Sequence, residues 1–386
     1  TKMLDLHQNN SHSNMNNSMK KSLLLLSAGL LVAGTIACTK ESTAPRLRGS
    51  NLPQSLEGQY ATLIAKGGER IDSAQVTSGA FELDLPDTIS LTRYDVELGG
   101  QAIGYFPESG TSTIIPDSDS EGYTYDETST PMNRQLATLT EEYNTAYGDY
   151  VRESLSLQED YKAAGNQVTP EISKKGAELS DRFTARVAEI ARKCFEENKD
   201  NELGRMALSL YPTSDSKGFV ELYESAGDLV KEDPDLKKLY ELQQAEQKTS
   251  AGQPYVDVTM TDETGKEIRV SELREEGKHL LIDVWASWCG PCRAAMPHLA
   301  EIAKGHPSTI KVVSIGGINE TYEANTKARE ELGMTWTTVF DSTSAFADAY
   351  GIQAIPTLIL INPEGTIELK TNDANEMSAK IADLGL

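Results

Sequence analysis

Two cysteines stand two residues apart in the segment Trp288-Cys289-Gly290-Pro291-Cys292. Thiol–disulfide exchange needs one thiolate that attacks and a second thiol that resolves the mixed disulfide. Two intervening residues let the sulfurs close a small ring where the chain turns into a helix. Pro291 suits a first helical turn, which puts Cys289 at the helix N-terminus. Free N–H groups and the helix dipole favour an anion there. The Cys289 thiol is therefore expected to titrate below the free-thiol value of about 8.5. Cys292 lies one turn inside and is expected to be shielded. The arrangement predicts Cys289 as the attacking thiol and Cys292 as the resolving thiol. Zinc sites use the same spacing but need about two more ligands. The sequence has no second C-x-x-C, and His298 is the nearest imidazole, so no metal is expected.

The elements around this pair alternate between β and α. Strands are predicted over 279–286, 310–315, 335–340, 357–361 and 366–369. Helices are predicted over 292–304, 322–332 and 344–350, with a closing helix from about Ala374. A hairpin signal at Asp262-Glu263-Thr264-Gly265 joins strands over 256–260 and 267–270, and 271–276 reads as a helical turn. Apolar runs such as Leu280-Leu281-Ile282 and Leu358-Ile359-Leu360-Ile361 fit strands covered on both faces.

The stretch Leu281-Ile282-Asp283-Val284-Trp285-Ala286-Ser287-Trp288, followed by the cysteine pair, resembles the thioredoxin superfamily. Pro297 matches the proline that bends that family's active-site helix. Ile355-Pro356-Thr357 matches its Ile-Pro-Thr element, which implies a cis Pro356 beside the disulfide. The leading hairpin, and the extra helix and strand between Cys292 and Pro356, resemble the membrane-anchored TlpA/ResA-type branch. The resemblance covers about 250–386 and implies a thioredoxin fold. Many members of that branch lack an acid at the position of Asp283. Thioredoxin itself has one, and there it is buried and helps move the second cysteine's proton. A carboxyl buried near a thiol should have a raised pKa, which suits general-base work. Gly290-Pro291 is the thioredoxin dipeptide and implies a reducing couple.

At 386 residues the chain suits two or three domains, since one core rarely serves more than about 250. A formal charge of −23 argues against nucleic-acid partners, whose phosphates need Lys and Arg. Met19-Lys20-Lys21 precedes an apolar run over 23–37, shorter than the roughly 20 residues of a spanning helix. This reads as an export signal starting at Met19, with 1–18 a disordered extension. Thr35-Ile36-Ala37-Cys38 resembles a lipoprotein lipobox, although Thr35 stands where Leu is preferred. The resemblance implies a lipid anchor on Cys38. Residues 39–54 read as a tether. Cys194 follows Phe183, Val187 and Ile190 on an apolar stripe and is expected to be a buried, inert thiol.

Short strands broken by Gly and Pro over 55–125 predict a small β-sandwich or barrel. The segment Ile71-Asp72-Ser73-Ala74-Gln75-Val76, with Gly79-Ala80-Phe81, resembles a β domain that precedes thioredoxin-like domains in Bacteroides-type lipoproteins. Residues 126–247 predict four or five helices, with starts at Thr169-Pro170 and Asp233-Pro234. A polar linker is expected over 247–253, and the thioredoxin-like domain over 250–386.

The expected function is an extracytoplasmic thiol–disulfide oxidoreductase of the cell envelope, lipid-anchored and periplasm-facing, that reduces protein disulfides. Its expected partners are protein thiol or disulfide clients and a separate membrane electron donor. The sequence has no flavin or nicotinamide fingerprint, so no cofactor is expected. A thiol peroxidase is disfavoured, because Asp283-Val284-Trp285-Ala286-Ser287-Trp288 replaces the Pro and Thr that such enzymes place before the reactive cysteine. A non-enzymatic surface lipoprotein that binds a partner is the remaining alternative.

Overall fold

The computed structural model describes residues 44–118, 120–262 and 264–386. The apolar run, Cys38 and residues 39–43 lie outside the described residues.

Eight strands come first: β1 (Pro45–Gly49), β2 (Tyr60–Ala65), β3 (Arg70–Gln75), β4 (Phe81–Asp84), β5 (Tyr94–Leu98), β6 (Gln101–Tyr105), β7 (Gly110–Pro116) and β8 (Tyr123–Tyr125). They form two sheets, ordered β4-β1-β7-β8 and β3-β2-β5-β6. Leu47, Leu83 and Ile114 of one sheet share a core with Leu63, Val96 and Leu98 of the other. This is a sandwich, held by the inward residues of alternating strands. Its strand β1 falls within the expected tether over 39–54. Pro45, Leu47 and Gly49 are buried, and the strand lies between β4 and β7. The outward Arg46 and Arg48 pair with Asp84 and Glu82. The alternation is there, but only three inward residues carry it.

Helices follow: α1 (Pro131–Ala163), α2 (Pro170–Glu197), α3 (Glu202–Leu210), α4 (Ser216–Ser225), α5 (Asp228–Lys231) and α6 (Pro234–Lys248). That is six among the described residues, with α5 a single turn, against the four or five expected. Thr169 caps α2 by accepting from the Ile172 N–H at 3.2 Å. Asp233 caps α6 by accepting from the N–H groups of Asp235 and Leu236. Asn133 of α1 is fully buried and fastens the helices to the sandwich. Its Oδ1 accepts from the Phe106 N–H (2.8 Å) and its Nδ2 donates to the Phe106 carbonyl (2.7 Å). Cys194 is half-buried between two helical core clusters, and burial pushes its thiol up to about 12.

The C-terminal part starts with a hairpin, β9 (Thr259–Thr261) and β10 (Glu267–Arg269). Then come β11 (His279–Val284), α7 (Gly290–Gly305), β12 (Ile310–Gly316), α8 (Tyr322–Glu331) and β13 (Thr337–Phe340). The chain closes with α9 (Ala345–Ala349), β14 (Thr357–Ile361), β15 (Ile367–Thr371) and α10 (Ala374–Asp383). The sheet order is β13-β12-β11-β14-β15, with β11 to β13 parallel and β14 and β15 antiparallel. Both faces of the central strands are covered. Leu281, Trp285, Leu358 and Leu360 pack with Met296 and Leu299 of α7 and Met377 of α10. Leu280, Ile282, Val284 and Ile359 pack on the other face with Met260, Phe346 and Tyr350. This is a thioredoxin-like fold preceded by a β-rich and a helical region.

The segment expected as a polar linker is built into the sheet instead. Thr249 is fully buried, and its hydroxyl donates to the Tyr350 carbonyl (3.0 Å). The Gly252 N–H reaches the Ile367 carbonyl, and the Ile367 N–H reaches the Gln253 carbonyl. Gly351, at φ +60°, lets α6 approach so closely that a Cβ there would sit 2.4 Å from the Leu242 carbonyl oxygen. Helix α6 therefore abuts the loop that leads to Pro356.

Candidate active site

Strand β11 ends at Val284, two residues before the expected end. The Ala286 carbonyl accepts from the Cys289 N–H (3.1 Å) and closes a turn into α7. Cys289 is the N-cap of α7, and Pro291 lies in its first turn. The helix therefore begins at Gly290 and not at Cys292. Cys289 and Cys292 are disulfide-bonded, with Cα atoms 5.3 Å apart. The Cys292 N–H points at the Cys289 sulfur at 3.1 Å. Cys289 is 4% exposed and Cys292 is 0% exposed. The outer sulfur is thus the one that backbone dipoles face. Pro297 lies within α7, and His298 is exposed on it.

The Ile355–Pro356 peptide is cis. The Ile355 carbonyl oxygen lies 3.7 Å from the Cys289 sulfur. Asn372, beyond β15, holds this corner by donating from its Nδ2 to the Pro356 carbonyl and to Thr357 Oγ1 (3.0 Å). Trp288 is 58% exposed beside Cys289, and its Nε1 donates to the Ile318 carbonyl (3.0 Å). Trp285 is fully buried beneath. Arg293 follows Cys292 and pairs with Glu331 at 3.2 Å on the surface.

Asp283 is fully buried. It lies between Leu281 and Trp285 on the face of β11 that α7 covers, the face shared with Cys292. Ser314 of β12 donates to its Oδ2 at 2.7 Å. Its Oδ1 has no hydrogen-bond partner among the described residues. Burial pushes the carboxyl up to about 7, against the smaller opposing effect of the Ser314 hydrogen bond. The group can therefore hold or release a proton near neutral pH, as general-base work requires.

Three residues outside the motif complete the site. Ser314 and Trp336 form a chain, because Trp336 Nε1 donates to Ser314 Oγ at 2.9 Å. Glu320, in the loop after β12, binds the active-site turn. It accepts from the Ser287 N–H (2.8 Å), the Gly317 N–H (3.0 Å) and Asn325 Nδ2 (2.8 Å). None of the three has a spacing signal that ties it to the cysteines. Glu320→Ala leaves these three donors without their acceptor. It is expected to lower stability by about 3 kcal/mol, since each of the three unmade bonds to a charged group costs about 1 kcal/mol or more. Urea titration checks this, and a loss below about 0.5 kcal/mol would mean that water replaces the carboxylate.

Residues 250–384 match the redoxin family. The thiol-disulfide oxidoreductase ResA of Bacillus subtilis is 30% identical over 119 residues, 31% of this chain and 65% of that protein. The sporulation thiol-disulfide oxidoreductase A of the same organism is 32% identical over 130 residues, 32% of this chain and 74% of that protein. A solved thiol-disulfide oxidoreductase from Bacteroides fragilis is 26% identical and covers 34% of this chain and 99% of its own, with a TM-score of 0.31. The chain thus spans about two thirds to three quarters of these curated relatives. With its cysteine pair at the head of α7 and its redoxin match, the chain belongs to the ResA/TlpA-like thiol–disulfide oxidoreductase family.

Proposed function

We propose that this protein is an extracytoplasmic thiol–disulfide oxidoreductase that reduces protein disulfides through Cys289 and Cys292. The observation that carries the reading is the asymmetry of the pair. Cys289 caps α7 and receives the Cys292 N–H, while Cys292 is fully buried on the side of β11 that also carries the buried Asp283. A helix N-terminus stabilises a thiolate on Cys289. That thiolate attacks one sulfur of a client disulfide, and the other client sulfur leaves as a thiolate. Cys292 then gives its proton to Asp283 as its sulfur attacks Cys289. The Cys289–client bond breaks, the second client thiol is released, and the enzyme is left with its Cys289–Cys292 disulfide. Two electrons have passed to the client. A separate membrane dithiol donor restores the reduced pair.

The exposed ring of Trp288 and the Ile355–Pro356 corner would contact clients on either side of Cys289. The signal ahead of Cys38 supports export and a lipid anchor on the periplasmic side of a membrane. No helix among the described residues is long and apolar enough to cross a membrane. The β region over 45–125 and the helical region over 126–247 would set the distance of the redox domain over 250–386 from that anchor, or hold clients.

Insulin reduction with dithiothreitol as donor tests the reading. The wild type is expected to accelerate precipitation of the insulin B chain, and Cys289→Ser to act at the uncatalysed rate. Equal activity in the two proteins would remove the assignment.

A further inference from the structure

A buried hydrogen-bond chain ends on Asp283. Trp336 Nε1–H can only donate, and it donates to Ser314 Oγ at 2.9 Å. Ser314 Oγ accepts that bond and donates its own proton to Asp283 Oδ2 at 2.7 Å. Ser314 is fully buried and Trp336 is half-buried. In this arrangement Asp283 Oδ2 accepts, and the remaining proton-binding oxygen of the carboxyl is Oδ1. Among the described residues Oδ1 has no partner and faces no competing donor, so it is the oxygen open to a proton from outside the chain. The surroundings add no charge to this account. Across β12 the neighbour is Ser314, and across β14 it is Leu358. Cys289 and Cys292 are the titratable groups that α7 brings to this face.

We propose that Ser314 and Trp336 are positioning residues that confine proton exchange to Asp283 Oδ1, and so set the pH at which Cys292 resolves a mixed disulfide. This rests on the exchange reading above. In the step itself, the Cys292 thiol proton moves to Oδ1 while the Cys292 sulfur displaces the bound thiol from Cys289. A new S–S bond forms as the old one breaks, and the released thiolate carries away the electron pair. The Ser314 hydrogen bond to Oδ2 favours the charged carboxylate, which opposes the burial that favours the neutral form. Removing it therefore moves the base to higher pH. Removing the Trp336 donor leaves the Ser314 hydroxyl in place but free to turn, which weakens the same bond.

Ellman's reagent separates the two steps on the full reduced chain. Attack by Cys289 releases the first thionitrobenzoate, and attack by Cys292 releases the second. In the wild type the second phase is expected to rise through a midpoint near pH 7, and Asp283→Asn should flatten that rise. Ser314→Ala should move the midpoint up by about one pH unit, the size of one hydrogen bond to a charged group. Trp336→Phe should move it in the same direction by less, and Ser314→Thr should restore it. If Asp283→Asn removes the rise while Ser314→Ala and Trp336→Phe leave its midpoint in place, the positioning role is wrong and the exchange reading stands. A wild-type second phase without any Asp283-dependent rise would overturn the positioning role and the base role of Asp283 together, while absence of a second phase would overturn the exchange reading.

Discussion

Asp283→Asn is expected to stabilise the oxidised protein by roughly 3 kcal/mol at pH 8 and to change it little at pH 4. The folded carboxyl titrates at about 7, against 3.8 for an ordinary aspartate. Between those values the folded state keeps the proton and the unfolded state has lost it. Stability therefore falls as pH rises through this window and levels off above about 7. Three units at 1.36 kcal/mol each give an upper bound of about 4 kcal/mol. Asparagine carries no such charge. It keeps an oxygen for Ser314 and places an amide N–H where the neutral carboxyl would place its proton, so the low-pH difference is small. Paired urea titrations of the two proteins across pH 4–8 isolate the contribution, because other titrating groups cancel. Parallel curves would mean that the carboxylate is solvated. The same substitution should impair the resolving step, so stability would rise as activity fell. That combination would mark Asp283 as tuned for chemistry and not for stability.

The part of this site that can be read from sequence is the part that is contiguous. Asp283, Trp285, Trp288 and the cysteine pair lie within ten residues, and one strand, one turn and one helix cap place them all. Continuous apolar runs likewise mark the strands that form the middle of the sheet. Ser314, Glu320 and Trp336 reach the site only because β12 runs parallel to β11. A serine on an apolar strand and a glutamate in a loop are ordinary until their partners are known. The same limit explains β1 and the segment after α6. Both look polar, because Arg46 and Arg48 face water and Thr249 hides its hydroxyl on a distant carbonyl. Composition reports a residue's own chemistry, and these positions depend on partners far along the chain. The cores of the sandwich and of the helices follow simple periodicities, which is why their classes are visible and their edges less so.

Cys292→Ser is expected to trap clients as mixed disulfides on Cys289, while Cys289→Ser traps none. The first attack needs only Cys289, whose sulfur faces the α7 N-terminus and the Ile355 carbonyl corner. The second attack is intramolecular, from a sulfur held on the same helical turn. Well-oriented intramolecular groups act as if present at about 10⁵ M or more. Millimolar thiol in solution cannot approach that, so the adduct should outlive its wild-type counterpart by several orders of magnitude. Non-reducing gels of envelope extracts would show higher-mass bands that dithiothreitol collapses, and mass spectrometry of those bands would identify the clients. Cys194 supplies the internal control. Its half-buried thiol, pushed up to about 12, should give no bands in the Cys289→Ser, Cys292→Ser double variant. Bands that survive in the double variant would place the reactive sulfur on Cys194. Bands from Cys289→Ser alone would reverse the roles of the pair and make the buried sulfur the nucleophile. That outcome would require α7 to open before the first attack, against the seal that packing places over Cys292.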